Sequence, residues 1–270
     1  MQALLSAMKI LVSIVFLTYS SWSDYRTREV SNRVWLLYGP VALILSLAEF
    51  VFYEPSRLPF FGLSFGLTTF IAFVLFHSGG FGGADSKALM CIALALPFIP
   101  EITFVPLLSS GISPLSQIFF PLTVFSNGVL LASASAVYLF FYNIVWHIRN
   151  KRKLFEGSLS HESFGKKILV LITGYKTSIA KIEEKWHIYP MEKIVDENET
   201  PIKRKFVILP KDEGRTKIVD RLYNAVKAGK INGYLWATPG LPLLIFLTIG
   251  LILALVFGDI VWLFITHILG

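Results

Sequence analysis

Residues 4–22 of the chain read LLSAMKILVSIVFLTYSSW, and a polar run, SDYRTREVSNR, follows at residues 23–33. Lys9 is the single charged residue of the first stretch. A helix rises about 1.5 Å per residue, so about 20 apolar residues cross the hydrocarbon core of a bilayer, which is about 30 Å thick. The first stretch therefore predicts a membrane-spanning helix that ends where the polar run begins.

The rest of the chain contains further apolar stretches of similar length. Its mean hydropathy is +0.62, a value that soluble proteins of this length rarely reach. We predict a polytopic α-helical membrane protein with about six transmembrane helices. They are Leu4–Trp22, Trp35–Phe52, Pro59–Phe76, a fourth from about Ala88 to at least Ile99, Gln117–Trp146, and a sixth from after Pro239 to about Phe257. The apolar tail Ile260–Leu269 either continues the last helix or lies on the surface.

Charged residues are concentrated between the fifth and the sixth predicted span. Nineteen of the 25 Lys and Arg residues lie between Arg149 and Lys230. We therefore predict three regions. They are a membrane domain with helices one to five at residues 1–148, a polar domain at residues 149–236, and the last helix with its tail at residues 237–270.

The polar domain is predicted to be a small α/β or α+β domain. Ile168–Thr173 and Lys205–Leu209 have the composition of strands. Thr216–Ala228 has apolar residues at helical spacing, and Gly229 after it is a typical helix stop. Asp196–Pro201 is predicted to be an acidic loop.

The distribution of basic residues predicts the orientation in the membrane. With the N-terminus outside, 23 of the 25 Lys and Arg residues lie on the cytoplasmic side. Cytoplasmic loops carry an excess of these residues. We expect a multi-pass protein of the cytoplasmic membrane, with its N-terminus outside and its polar domain in the cytoplasm. The same excess accounts for the net charge of +7, and no aromatic-basic motif indicates a nucleic-acid partner.

Two aspartates fall at the same edge of the predicted membrane domain. Asp24 ends the first span and Asp85 precedes the fourth. One crossing and three crossings bring the chain to the same side, whichever way it is oriented. Acids near hydrocarbon are costly and are candidates for function. The other acids of the region lie toward the opposite side and are interpreted as exposed loop or interface carboxylates: Glu49, Glu54, Glu101 and Asp259.

The sequence around Asp85 is rich in small residues and reads HSGGFGGAD at residues 77–85. Small residues let another backbone approach closely, so Gly82, Gly83 and Ala84 are candidates for binding an extended peptide. Two carboxyls within hydrogen-bond reach share one proton, which provides one general base and one general acid. We predict that Asp24 and Asp85 catalyse peptide hydrolysis in this way, with no metal and no cofactor.

Two motifs carry a resemblance to a known family. Asp24 followed by REVSN at residues 28–32, together with GGAD at residues 82–85, resembles the archaeal preflagellin and type IV prepilin peptidases, which are aspartic proteases with a G-x-G-D signature. The six-span plan and the polar domain before the last span extend the resemblance over nearly the whole chain. Ala84 stands where the signature has its second glycine.

The resemblance implies a specific activity. Members of the family remove short, positively charged leader peptides from flagellin or pilin precursors at the cytoplasmic membrane edge, and the two matched aspartates are their catalytic pair. Glu29 and the cluster Asp196–Glu199 are candidates for contacting a basic leader. The single cysteine, Cys91, excludes the cysteine-rich module of the bacterial relatives. The choice between flagellin and pilin substrates and the oligomeric state stay open.

Other classes of membrane protein would use Asp24 and Asp85 for another purpose or would need other residues. A proton- or cation-coupled transporter could use Asp24 and Asp85 as a relay, and this is the main alternative. A membrane assembly scaffold is a third class. A zinc protease needs H-E-x-x-H, and the run His161–Gly165 lacks its second histidine.

Overall fold

A computed structural model of the protein describes residues 1–79, 81–100, 106–196, 202–207, 214–239 and 243–269. Contacts within the chain divide it into two compact units. One consists of Met1–Ala132 together with Pro242–Gly270, and the other of Ser133–Leu241. The protein is mostly helical, with several long apolar helices and a small α/β region in its C-terminal half, as the sequence predicts.

Apolar helices form the first unit. They are α1 (Gln2–Thr27), α2 (Asn32–Tyr53), α3 (Leu58–His77), α4 (Gly83–Ala95), α5 (Pro114–Ile118), the first part of α6 (Phe120–Asn150), α10 (Leu243–Val256) and α11 (Ile260–Leu269). Within the described ranges, four helices are long and apolar enough to cross a membrane, namely α1, α2, α3 and α6, and the bent pair α10 and α11 gives a fifth candidate. With the shorter α4, these make up the six predicted segments.

The tail that the sequence left open is a separate helix, because the chain bends by 60° between α10 and α11. Gly258 at the bend has φ +82°, in the left-handed region that glycine adopts readily. Asp259 then begins α11 by accepting the Trp262 N–H at 3.0 Å. Asn127 of α6 holds the bend in place, since its amide donates to the Gly258 carbonyl and accepts the Ile260 N–H.

Helix α4 starts five residues before the predicted fourth span, and the predicted end at Ile99 or beyond was wrong, because the helix ends at Ala95. Its 13 residues span about 20 Å, which is less than the thickness of the hydrocarbon core. The carbonyls at its end accept hydroxyl hydrogens from neighbouring helices. Ser46 of α2 donates to Leu94 at 2.6 Å and to Ala95 at 3.2 Å, and Ser64 of α3 donates to Pro97 at 3.0 Å. These bonds satisfy backbone groups that have no water to bind at such a depth.

The core of the first unit lies between α1, α2, α4 and α10. Its fully buried side chains include Leu17, Tyr38, Ile92, Phe120 and Leu247. Phe16 stacks on Tyr38 with ring centroids 5.0 Å apart, which aligns α1 with α2. In a membrane such packing is stabilised mainly by van der Waals contact, because lipid tails are as apolar as the side chains.

The interpretation of the remaining acids as exposed or interfacial was wrong for two of them. Glu49 is 6% exposed and forms an ion pair with Lys9 of α1. Asp259 is 4% exposed and accepts the Ser113 hydroxyl at 2.8 Å. Both are buried because a partner from another segment compensates the loss of water. Glu54, at the end of α2, is half-buried, and Glu101 lies outside the described residues.

Two glycines bring α6 and α10 into backbone contact. A Cβ atom at Gly250 would lie 2.6 Å from the Val124 carbonyl oxygen, and one at Gly128 would lie 3.0 Å from the Phe246 carbonyl oxygen. Both distances are too short for a side chain. Such close approach through small residues is a common way for membrane helices to associate.

Gly250→Ala is therefore expected to lower the free energy of unfolding by about 1–3 kcal/mol, the usual cost of overpacking a core. Gly66→Ala on α3 is the matched control, because nothing lies within 4 Å of its added Cβ. Thermal unfolding in detergent measures both variants. Equal melting temperatures would contradict the close contact of α6 and α10.

Among its described residues, the second unit contains the last part of α6, three shorter α-helices and two antiparallel sheets. The helices are α7 (Phe164–Thr173), α8 (Ile179–Glu184) and α9 (Arg215–Lys227). The strands are β1 (Tyr175–Ser178), β2 (Ile188–Pro190), β3 (Glu192–Asp196), β4 (Lys203–Phe206) and β5 (Tyr234–Pro239). One sheet has the order β1-β5-β2, and the other pairs β3 with β4.

The predictions for this unit have mixed outcomes. The helix Thr216–Ala228 is confirmed as α9, and Gly229 ends it with φ +68°. The strand Ile168–Thr173 was wrong, because this segment lies in helix α7. Five apolar residues in a row, followed by Thr173, fit a strand or a helix equally well, and periodicity cannot decide between them.

The other predicted strand and the acidic loop are only partly described. The strand Lys205–Leu209 is found two residues earlier, as β4, and residues 208–209 lie outside the described residues. Asp196 ends β3 rather than beginning a loop, and residues 197–201 also lie outside the described residues.

A buried glutamate of the second unit forms an ion pair within one sheet and a hydrogen bond to the other. Glu192 on β3 is fully buried and accepts Arg204 Nη1 of β4 at 2.7 Å. Its other oxygen accepts the Trp236 N–H of β5 at 2.8 Å. Burial raises the pKa of Glu192, and the charge of Arg204 opposes that rise. The pair fixes the β3–β4 hairpin on the three-stranded sheet.

Candidate active site

Asp24 lies in the last turn of α1. Its side chain is half-buried, and its backbone carbonyl accepts the Arg28 N–H at 2.9 Å. Arg28 has φ 57°, the left-handed conformation that commonly ends a helix. The helix therefore stops one turn beyond Asp24, as the polar run in the sequence predicts.

The turn after α1 is held by hydroxyl groups. Ser23 and Thr27 both donate to the Glu29 carbonyl, at 2.8 and 2.9 Å. Ser31 then caps α2 by accepting the Arg33 N–H. These bonds place the exposed Glu29 side chain beside the end of α1. Glu29 thus lies five residues after Asp24 on an ordered turn.

Asp85 is the third residue of α4 and is half-buried. Its Oδ2 accepts the Gly82 N–H at 3.0 Å, so the carboxylate caps the start of its own helix. Backbone N–H groups and the helix dipole favour an anion at this position. The side chain is therefore held in one orientation before any substrate arrives.

Two residues that sequence reasoning did not single out fix the glycine-rich loop. Phe81 is buried between α3 and α4, and its ring meets Phe125 edge-on with centroids 5.4 Å apart. Ser86 is buried and donates to the Ala72 carbonyl of α3 at 3.2 Å. In the sequence, Phe81 is the single aromatic residue among the glycines at 79–83, and this position was the available signal that it anchors the loop.

The ends of α1, α2 and α4 meet at the site. Helices α1 and α4 pack against each other, and Lys87 Nζ of α4 donates to Asn32 Oδ1 of α2 at 2.6 Å. Asp24 lies in the last turn of α1 and Asp85 in the first turn of α4. The structure therefore places the two aspartates that the sequence singled out on neighbouring helices.

The small residues before Asp85 differ in their surroundings. Gly82 is exposed, Gly83 is half-buried, and Ala84 packs against the core of the first unit. A Cβ atom at Gly83 would meet only the Phe76 ring, at 3.7 Å, so space lies next to this backbone. An extended peptide could approach at this point.

The site offers acid–base chemistry through two carboxyls. In the part of the chain that the structure describes, no group of three or more His, Cys, Asp or Glu residues is placed to hold a metal ion. Asp196 lies in the second unit, and the rest of the cluster Asp196–Glu199 falls outside the described residues. Cys91 is buried and unbridged.

The loop geometry predicts different effects for two glycines. A Cβ atom at Gly82 would lie 3.0 Å from Asp85 Oδ2, so the carboxylate would have to move. A misplacement of about 1 Å costs about a hundredfold in rate, and the carboxylate has to move by less than that, so we expect Gly82→Ala to lower kcat by about tenfold. Gly66→Ala on α3, whose added Cβ meets nothing within 4 Å, should keep a kcat near the wild-type value. Equal kcat values for the two variants in a peptide-cleavage assay would refute the role of the Gly82–Asp85 contact.

Known proteins share both parts of this chain. Residues 11–146 match the profile of the type IV leader peptidase family, and residues 166–260 match that of the archaeal peptidase A24 C-terminus, type II. A preflagellin peptidase of Methanococcus voltae is 28% identical over 92% of this chain and 94% of its own length. A preflagellin peptidase of Methanococcus maripaludis (strain C6) is 22% identical over the same shares of the two chains. Since the first profile covers half of the sequence, including both aspartates, the chain belongs to the type IV leader peptidase family.

Proposed function

We propose that this protein is a membrane aspartic endopeptidase that removes leader peptides from preflagellin or type IV prepilin-like precursors. The observation that carries the proposal is the position of Asp24 in the last turn of α1 and of Asp85 in the first turn of α4, on two helices that pack against each other beside a backbone with room for a peptide. Two relatives that match over nearly their whole length bear the name preflagellin peptidase, which supports the substrate class.

The proposed chemistry needs one proton shared by the two carboxyls. The ionised aspartate takes a proton from a water molecule, which attacks the carbonyl carbon of the scissile peptide bond. The protonated aspartate gives its proton to the developing oxyanion. Collapse of the tetrahedral intermediate breaks the C–N bond, and the departing amine receives a proton from the pair. All atoms come from the peptide and one water molecule.

The substrate geometry follows from the site. Small residues at 82–84 leave the backbone before Asp85 accessible, so we propose that the scissile segment lies extended along it. A positively charged leader would then extend toward the exposed Glu29, which the turn after α1 holds near Asp24. Opposite charges favour this contact, but exposure to water limits its strength to about 1 kcal/mol or less.

We also propose an orientation and a division of the chain. The polar domain at residues 149–236 lies in the cytoplasm between the fifth and the last membrane helix, and the N-terminus lies outside. The excess of Lys and Arg in this domain supports the orientation. Cleavage would then take place at the cytoplasmic face of the membrane.

Cleavage of a leader-bearing precursor by the purified, membrane-reconstituted protein tests the function. Flagellin-type and pilin-type precursors are compared side by side, and mass spectrometry identifies the new N-terminus. We expect cleavage directly before the apolar helix of the mature subunit, with the faster substrate identifying the natural class. A folded protein that leaves both precursors intact would contradict the proposal. Proton uptake by proteoliposomes would then be measured.

A further inference from the structure

Helix α7 of the second unit exposes apolar side chains on one face. This exposed stripe consists of four exposed residues, which are Phe164, Gly165, Ile168 and Leu169, and one half-buried residue, which is Ile172. Their spacing places them on one side of the helix, since residues four apart lie above one another. Phe164 is 78% exposed, and Ile168 and Leu169 are 39% and 42% exposed. The helix thus turns apolar side chains outward, the reverse of a soluble surface helix.

The rest of α7 is tied to its own unit. Val170 is fully buried in a cluster with Leu159 and Trp236. Two lysines lie on either side of the stripe, and their ammonium groups make contacts within the second unit. Lys166 donates to Glu162 at 2.9 Å, and Lys167 lies 5.8 Å from the centre of the Phe155 ring. The exposed stripe is therefore fixed in direction and is not the result of a loosely attached helix.

The last part of α6 holds the end of α7. The amide of Asn143, which is buried, donates to the Leu171 carbonyl at 2.9 Å and to the Gly174 carbonyl at 2.7 Å. Asn143 lies seven residues before the end of α6, a distance of about 10 Å along its axis. The C-terminal end of the stripe therefore lies beside the final two turns of α6, which is long and apolar enough to span a membrane.

The same part of α6 presents apolar side chains and then positive charge. Its outward residues include Tyr138, Phe141, Val145 and Ile148, which are all exposed. Exposed basic residues follow at the helix end, at positions 149 and 151–153. Apolar side chains next to a cluster of Lys and Arg are the pattern that membrane-surface segments use to bind anionic lipid.

We propose that α7 is a membrane-surface helix whose exposed stripe inserts into the interface of the bilayer that α6 crosses. The basic cluster at the end of α6 binds anionic headgroups there. Lipid is the occupant because the stripe lies on a helix bonded to the last part of a candidate spanning helix, which itself ends in exposed positive charge. The inference depends on the membrane character of the chain and not on its peptidase activity.

Site-specific fluorescence in the full-length, reconstituted protein tests this placement. In a Cys91→Ala background, one variant carries Phe164→Cys, a second Ile168→Cys, and a control carries Lys217→Cys on the exposed side of α9 in the same unit. Each is labelled with an environment-sensitive dye and placed in nanodiscs of anionic phospholipid with brominated acyl chains. Iodide serves as the quencher from the water side.

The proposal expects bromolipid to quench the labels at 164 and 168 severalfold more than the label at 217, and iodide to show the reverse order. It also expects weaker bromolipid quenching at 164 and 168 when neutral lipid replaces anionic lipid. Equal quenching at the three positions would overturn it. Two other results would also overturn the proposal. One is protection from iodide only when two copies of the chain are cross-linked to each other. The other is protection from iodide that appears only after a leader-bearing precursor is added. Because Phe164 is almost fully exposed, its replacement does not threaten folding.

Discussion

Asp24→Asn and Asp85→Asn are each expected to lower the rate of precursor cleavage by about a hundredfold to ten-thousandfold, the range over which positioned acids and bases accelerate proton transfer. Asparagine has the size of aspartate but cannot exchange a proton. Each change leaves one carboxyl without its partner, so the pair can no longer supply a base and an acid in the same cycle. The double variant should be little slower than either single one, because residues that act as a unit are not additive.

The control variants separate chemistry from folding. Asp220→Asn removes an exposed acid on α9 of the second unit and should leave the rate unchanged. Glu29→Gln should raise KM for a basic leader while leaving kcat close to wild type. Circular dichroism and thermal unfolding check that the aspartate variants are folded. Cleavage at the wild-type rate by either folded aspartate variant would remove that residue from the mechanism.

The largest expected effect on stability concerns the pair Lys9 and Glu49, which lies inside the membrane bundle between α1 and α2. Lys9→Met or Glu49→Met should lower the free energy of unfolding by about 3–5 kcal/mol, because each leaves one buried charge without compensation. Lys9 and Glu49 are 5% and 6% exposed, so a charge left without its partner stays largely shielded from water.

The double variant Lys9→Met with Glu49→Met distinguishes this explanation from simple loss of packing. Replacing both charges by apolar side chains of similar volume is often neutral or stabilising. We therefore expect the double variant to recover most of the stability that each single change removes. Unfolding in mixed detergent is measured for the wild type, the two single variants and the double variant. Losses that simply add would show that the two charges do not compensate each other.

The sequence was sufficient for the membrane helices, and it predicts Asp24 and Asp85 as the catalytic pair. Span length depends on the thickness of the bilayer, so apolar runs identify helices without knowledge of their neighbours. The number of predicted membrane crossings before each residue then placed Asp24 and Asp85 on the same side of the membrane. The profile match and the packing of α1 on α4 agree with that placement.

Features that depend on distant partners could not be predicted. The burial of Glu49 depends on a lysine 40 residues earlier, and that of Asp259 on a serine in another segment. The bond between Lys87 and Asn32 is also tertiary. Segment 168–173 forms a helix, with its carbonyls near α6 held by Asn143, a contact that no local pattern encodes.

The shortness of α4 links two regions of the membrane that are far apart. Asp85 occupies one end of the helix, and the Ser46 hydroxyl holds the carbonyls at the other end, about 15 Å away along the axis. An α-helix is stiff along its axis, so a displacement at the hydroxyl end is carried to the carboxyl with little loss. The position of the Asp85 carboxyl therefore depends partly on a hydrogen bond at the far end of α4, remote from the peptide. Lateral pressure from lipid acts on α2, which carries Ser46, so we expect the rate of precursor cleavage to change with the lipid composition of the bilayer.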